Sequence, residues 1–461
     1  MGPSQSGLAK TAQKESNIKQ LKRKNAPLCV HINAESQEKL STTTGRIGGK
    51  NQTTATTKNN LLKPNVVNMT MHQAHLRSFV EFRLSMSTPN NPQQVKIDWP
   101  NTQREAQFQQ WLDLQAASFE LITTSVRPAS ADASFRRYFR VDGVAAKGKP
   151  NSFIIMDAPP DKENCEPFVQ IAELMCKCGL LAPKILNWHV QNGFILLDDL
   201  GTQTMMEVID KTNPQANMGL YMRAVDALLL LQQSQQGHTL PHYDEALLQR
   251  ELHLFPDWYI AQHRKVELSD TQKNTINKTF RLIIERNLAT PKVFVHRDFM
   301  PRNLMMPHDA NEMRLGVLDF QDAVYGPITY DIASLMRDAF LSWEEDFVLE
   351  ITIRYWERAR KLGLMDFDGW SQDFGAFWRA VEWMGLQRHL KVAGIFARLT
   401  LRDGKEKYLA DAPRFIQYIR HTASRYAELT PLLRLIDTLE GTHPEMSLAY
   451  PRPSVPLGGK A

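Results

Sequence analysis

His296-Arg297-Asp298-Phe299-Met300-Pro301-Arg302-Asn303, followed sixteen positions on by Asp319-Phe320-Gln321-Asp322, decides how this chain is read. Each stretch follows a short apolar run, Val293-Phe294-Val295 before the first and Leu315-Gly316-Val317-Leu318 before the second. Runs of that type are strands, so the polar residues fall at strand ends, on loops held by a rigid scaffold and facing a cleft. Phosphoryl transfer asks little covalent chemistry of a protein. It needs oxygen ligands for the Mg²⁺ that offsets the triphosphate charge, and a carboxylate that orients the attacking hydroxyl and accepts its proton. In that reading Asp298 is the base, and Asn303 and Asp319 are hard oxygen ligands for Mg²⁺. Either motif alone is weak, because an Asp after a strand is often only a helix cap. The two together, in this order and at this spacing, point to a nucleotide-dependent phosphotransferase.

His296-x-Asp298-x-x-x-x-Asn303 with Asp319-Phe320-Gln321-Asp322 resembles the aminoglycoside and choline kinase branch of the protein-kinase-like fold. Residues 316–331 (GVLDFQDAVYGPITYD), 383–392 (WMGLQRHLKV) and 394–399 (GIFARL) are similar, more narrowly, to the bacterial anomeric sugar kinases that act on N-acetylmuramate and N-acetylglucosamine; the similarity spans residues 101–440. The resemblance implies an α+β fold of two lobes, a small β-sheet N-lobe and a larger helical C-lobe. It implies ATP and Mg²⁺ as cofactors, a small-molecule sugar as acceptor at its anomeric hydroxyl, and an α-1-phosphate product in peptidoglycan recycling. It also implies that Asp331 braces the catalytic loop, beyond capping the helix it precedes, and that His296 orients the loop while Asp298 is the base. Two other readings stay open. An antibiotic or amino-alcohol kinase of the same family would need an acidic acceptor pocket, which the Arg-rich segment 388–402 opposes. A regulatory pseudokinase would bind nucleotide without turnover.

Outward from the motif, residues 102–118 carry Phe108, Trp111, Leu112 and Gln115 on one stripe and predict a helix. Strand-like runs follow at 121–126, 135–141 and 153–156, with Ala129-Ser130-Ala131-Asp132-Ala133-Ser134 between the first two. In the implied fold this small-residue turn covers the nucleotide phosphates, with Ser130, Ser134 and Arg136 as nucleotide-binding candidates. Arg137 and Lys162 are further cations for the phosphates, and strand alternation lets only one of Arg136 and Arg137 face inward. The third run, Phe153-Ile154-Ile155-Met156-Asp157, lacks the lysine that protein kinases place there. Phe194 to Gly201 is an apolar strand ending at acidic residues; Asp199 and Leu200 are the hinge candidates whose backbone pairs with adenine. For the acceptor, Trp378, Glu382 and His389 share a helix face, and Arg388 is the expected partner of the lactyl carboxylate, with Arg398, Arg402 and Lys405 as alternatives.

Residues 1–97 hold 14 Lys and Arg against 4 Asp and Glu, whereas the remainder holds 41 against 46. The basic balance therefore belongs to the N-terminal segment, which has only two aromatic residues and reads as a disordered extension. A nucleic-acid binder would carry its basic face on the folded domain, so none is expected. No apolar run reaches membrane-spanning length. Four cysteines at irregular spacing suit neither a disulfide framework nor a zinc site and fit a reducing cytoplasm. The expected division is a basic extension (1–97), a nucleotide-binding N-lobe (98–197), a helical C-lobe with catalytic loop and acceptor site (198–445) and a flexible tail (446–461), in a monomer.

Overall fold

Asn101 starts the first element: its side chain accepts a hydrogen bond from the Arg104 amide at 2.8 Å and caps helix α1, Thr102–Phe119. The computed structural model describes residues 97–131, 135–146, 149–309 and 311–442. The expected extension up to residue 96, Ser134, and the tail from 443 onward lie outside the described residues. Helix α1 buries Phe108, Trp111 and Leu112, three members of the stripe its spacing predicts, while Gln115 is only half-buried.

That stripe covers one face of a five-stranded antiparallel sheet in the order β1-β2-β3-β5-β4, built from β1 (Leu121–Ala131), β2 (Arg137–Ala146), β3 (Lys149–Asp157), β4 (Ile185–His189) and β5 (Phe194–Asp198). Phe139, Val141, Ile155, Phe194 and Leu196 point to α1 and form a small separate core. Met156, Ile195 and Leu197 alternate to the opposite face and join the main core. Strand β4 was not visible in the sequence because all five of its residues are half-buried, which erases the alternation that marks a strand. Between β3 and β4 runs helix α2 (Glu166–Lys177), which buries Phe168, Ile171, Ala172 and Met175. Glu173 lies off that face and pairs with Lys177 in solvent.

The second lobe is helical: α3 (Met205–Val208), α4 (Met218–Gln232), α5 (Glu245–Leu254) continued by a π-helical segment (Phe255–His263), α6 (Asp270–Leu288), α7 (Thr329–Met336), α8 (Glu345–Lys361), α9 (Phe374–Leu401), α10 (Ala412–Arg425) and α11 (Thr430–Glu440). Two small antiparallel ribbons interrupt it. β6 (Lys292–Val295) pairs with β9 (Val324–Pro327), and β7 (Leu304–Met305) pairs with β8 (Gly316–Val317). The α+β, two-lobed architecture is therefore the expected one. The chain crosses between lobes at Gly201, whose φ of +132° and 2.4 Å approach of a would-be Cβ to the Met306 carbonyl oxygen leave room for no side chain.

Candidate active site

The two ribbons set the site. β6 ends at Val295 and releases residues 296–303, while β8 ends at Val317 and releases residues 318–322. A backbone bond from Leu318 N to the Asn303 carbonyl, 2.9 Å, ties the two loops together. Asn303 Nδ2 donates to the Asp298 carbonyl at 2.9 Å and lies 3.2 Å from Asp319 Oδ2, while Asp319 Oδ1 accepts from Gln321 at 2.9 Å. Asp298 and Asn303 are half-buried and Asp319 is exposed, so the Asp319 carboxylate and the Asn303 carboxamide meet at an open edge. Those are the hard oxygen donors that suit Mg²⁺. Arg297 (φ +76°) and Asp319 (φ +65°) hold left-handed backbone conformations without being glycine. Such conformations survive only where surrounding structure enforces them.

Here the enforcement comes from below. Asp331 accepts from the His296 amide at 2.7 Å and from the Arg297 amide at 2.9 Å, fully buried. Asp331 is the third residue of α7, so the expectation that it caps that helix is corrected: its carboxylate points to the loop. Burial pushes its pKa up to about 7, against the pull of the two amides. The His296 ring lies edge-on to Phe299, and burial pushes its pKa down to about 4. It is neutral at pH 7 and packs beneath the loop.

Arg297 donates to Glu251 on α5 at 2.5 Å, and Glu251 also meets Lys391 of α9 at 2.9 Å and the Tyr243 hydroxyl at 2.5 Å. Burial alone would raise the Glu251 carboxyl, but Lys391 and Arg297 hold it at about 2. Glu251 and Lys391 escaped the sequence reading because their partners are distant in the chain. The one available signal was an acid flanked by Leu248 and Leu252 on an apolar face.

Several expectations for the acceptor side are corrected. Arg388 is 4% exposed; it donates to the Arg297 carbonyl at 2.8 Å and lies over the Tyr330 ring, so it supports the loop from beneath. Glu382 is 2% exposed and engaged by Arg425 at 2.8 Å, Arg337 at 3.5 Å and the Tyr426 hydroxyl. His389 is buried and stacked 4.5 Å from Tyr418. Glu382 and His389 of the shared α9 face are thus core, while Trp378 is half-buried against it, because α9 runs through the lobe with neighbours on several sides. On the nucleotide side, Ser130 pairs with Tyr138 across the turn. The Asp199 carboxylate accepts from Arg140 at 2.6 Å, Ser152 at 2.7 Å and Gly201 N at 3.1 Å, so its side chain is taken up in fixing the crossover between the lobes. Leu200 is buried beside Gly316. Arg137 is taken up with Arg104 by the buried Asp157, on the α1 face. Arg136, on the other face, meets Glu163 at 3.2 Å.

A small sheet lobe, a crossover, and a helical lobe presenting the 296–303 and 318–322 loops define a phosphotransferase of the protein-kinase-like class. Residues 125–367 match the model of the phosphotransferase enzyme family, APH. The chain is 46% identical over 344 residues to the N-acetylmuramate/N-acetylglucosamine kinase of Pseudomonas putida, covering 73% of this chain and 97% of that protein. It is 43% identical to the protein of the same name from Neisseria meningitidis (74% and 97% covered) and 28% identical to that from Caulobacter vibrioides (62% and 85%). The chain belongs to the APH phosphotransferase family.

Proposed function

We propose that this enzyme transfers the γ-phosphoryl group of ATP directly to the anomeric hydroxyl of N-acetylmuramate and N-acetylglucosamine, giving the α-1-phosphate for peptidoglycan recycling. The observation that carries the chemistry is the Asn303 side chain, which ties the Asp298 backbone carbonyl to the Asp319 carboxylate and so holds the two loops together at an open edge. The names of the relatives supply the acceptor. Asp298 orients the sugar hydroxyl and takes its proton as the bond to phosphorus forms. Asn303 Oδ1 and the Asp319 carboxylate would hold Mg²⁺, which when bound offsets the charge of the triphosphate. The Asp331 contacts keep residues 296–298 in the strained conformation that presents the base. No phosphoenzyme is involved.

With Arg388 taken up beneath the loop, Arg302 supplies an exposed cation four positions past the base, over the Phe340 ring at 4.6 Å. It replaces Arg388 as the group that meets the lactyl carboxylate of N-acetylmuramate. Residues 98–197 form the nucleotide lobe and 198–445 the catalytic and acceptor lobe. Cys165, Cys176 and Cys178 are free thiols, in keeping with a cytoplasmic enzyme, and no helix among the described residues is long and apolar enough to cross a membrane.

The test is ADP release with MgATP against N-acetylmuramate, N-acetylglucosamine, glucose, choline and kanamycin. Turnover confined to the N-acetylated sugars is expected; turnover of choline or kanamycin alone would replace the acceptor assignment. Arg302→Ala should lower kcat/KM for N-acetylmuramate about 10-fold more than for N-acetylglucosamine, the size expected for one charged hydrogen bond. An unchanged ratio would remove Arg302 from the acceptor site.

A further inference from the structure

Kinases of this architecture usually hold the nucleotide phosphates with a lysine on the third strand, itself fixed by a glutamate on the following helix. Residues 150–157 of this chain contain no lysine. On the face of β3 directed away from α1 stands Met156, fully buried and paired in register with Tyr138 of β2. The charged residue at the end of the strand, Asp157, lies on the α1 face and is closed off by Arg104 and Arg137. Neither β3 side chain can serve the phosphates.

Arg136 directly precedes β2, and continuing the strand's alternation puts it on the same face as Tyr138 and Met156. Its guanidinium lies 3.2 Å from Glu163, and both side chains are largely buried. Glu163 also accepts from the Phe135 amide at 3.2 Å, so the one carboxylate fixes both the cation and the end of the turn. Glu163 itself is held by a turn in which its amide and that of Lys162 both reach the Pro159 carbonyl at 2.9 Å, three residues before α2. The buried face of α2 then carries Phe168, stacked 4.9 Å from Phe320, the neighbour of Asp319. A cation at the head of β2 paired with an acid just before α2, and α2 packed against the loop that carries Asp319, parallel the pairing of a strand lysine with a helix glutamate.

We propose that Arg136, positioned by Glu163, is the phosphate-binding cation of this enzyme, displaced from the third strand to the start of the second. The ligand is the β- and γ-phosphate portion of a nucleotide, so the inference rests on the nucleotide-dependent reading above. A guanidinium suits the new position, since its planar fork can bond a carboxylate on one side and phosphate oxygens on the other.

The test uses the full chain and measures the affinities of ADP and adenosine by calorimetry, beside thermal melting. Arg136→Met should lower the melting temperature, because it leaves the largely buried Glu163 without its cation, and in the folded protein should weaken ADP between roughly 10-fold and 100-fold, the range for losing a charge-assisted hydrogen bond, with adenosine affinity nearly unchanged. Arg136→Lys should recover part of the loss. Adding Met156→Lys to Arg136→Met, which restores the usual strand position, should also recover part. Glu163→Gln should weaken ADP in the native background and have no further effect once Arg136 is Met, a coupling that a purely structural role would not give. ADP affinity unchanged in a folded Arg136→Met protein overturns the inference. If Arg136→Met does not fold, native ADP affinity in Arg136→Lys/Glu163→Gln overturns it equally. Sugar-dependent ADP release that persists in such a variant would leave the proposed function standing; a native chain that binds no ADP would remove both.

Discussion

At the scale of single residues, the proposed base, Asp298, sits on a loop whose surroundings are built to hold it. Asp298→Asn should lower kcat by a factor of about 10² to 10⁴, the usual contribution of a general base, while ADP affinity is kept. Wild-type turnover in that variant would remove Asp298 from its role. His296 gives a prediction in pH. Folded, it titrates at about 4; its ordinary value is 6.5. Between those values the unfolded chain takes up a proton that the folded chain refuses, so stability present above pH 6.5 is lost as pH falls toward 4. At pH 5 the loss is about 2 kcal/mol. Asp331 acts in the opposite sense, its raised pKa removing stability as pH rises toward about 7. Urea unfolding of the native protein and His296→Gln separates the two: the stability difference between them should shrink by about 2 kcal/mol from pH 7.5 to pH 5. A constant difference would mean that His296 carries its proton in the fold. Asp298, Asn303 and Asp319 could be read directly because each sits within a few residues of a strand end, and local sequence determines that placement. Glu382 and Arg388 could not, because their burial depends on what α9 packs against, and those partners come from elsewhere in the chain.

At the scale of elements, α9 links the helical lobe to the catalytic loop. Lys391 reaches Glu251 and Arg388 reaches the Arg297 carbonyl, both from its buried side. The helix lies so close to the junction of α5 and the π-helical segment that a Cβ on Gly394 would stand 2.3 Å from the Leu254 carbonyl. Gly394→Ala should therefore force α9 outward, at a cost of about 1–3 kcal/mol, and reduce kcat more than it raises KM for ATP. Melting unchanged from native would show that α9 accommodates the methyl without moving. Glu251→Gln leaves Arg297 and Lys391 buried without their shared counter-charge and should destabilise the fold by roughly 3–5 kcal/mol, read by chemical denaturation. Helices α1 and α2 were legible from period-3.6 stripes. Strand β4 and the π-helical segment were not, the first for want of alternation and the second because Phe255, Tyr259 and Ile260 mimic an ordinary helical spacing.

At the scale of the whole molecule, two motifs within 27 residues carried the family resemblance, and it was that resemblance that implied both lobes. The acceptor was legible only through resemblance: of the residues chosen for it from helical spacing, Glu382 and His389 proved to be core and Trp378 is half-buried. The central claim is therefore tested best at the acceptor atom. With MgATP, the protein should release ADP on N-acetylglucosamine and N-acetylmuramate, and none on their methyl glycosides, whose anomeric oxygen has no proton for Asp298 to take. Equal ADP release on the methyl glycosides would place the phosphate on another hydroxyl and contradict the account.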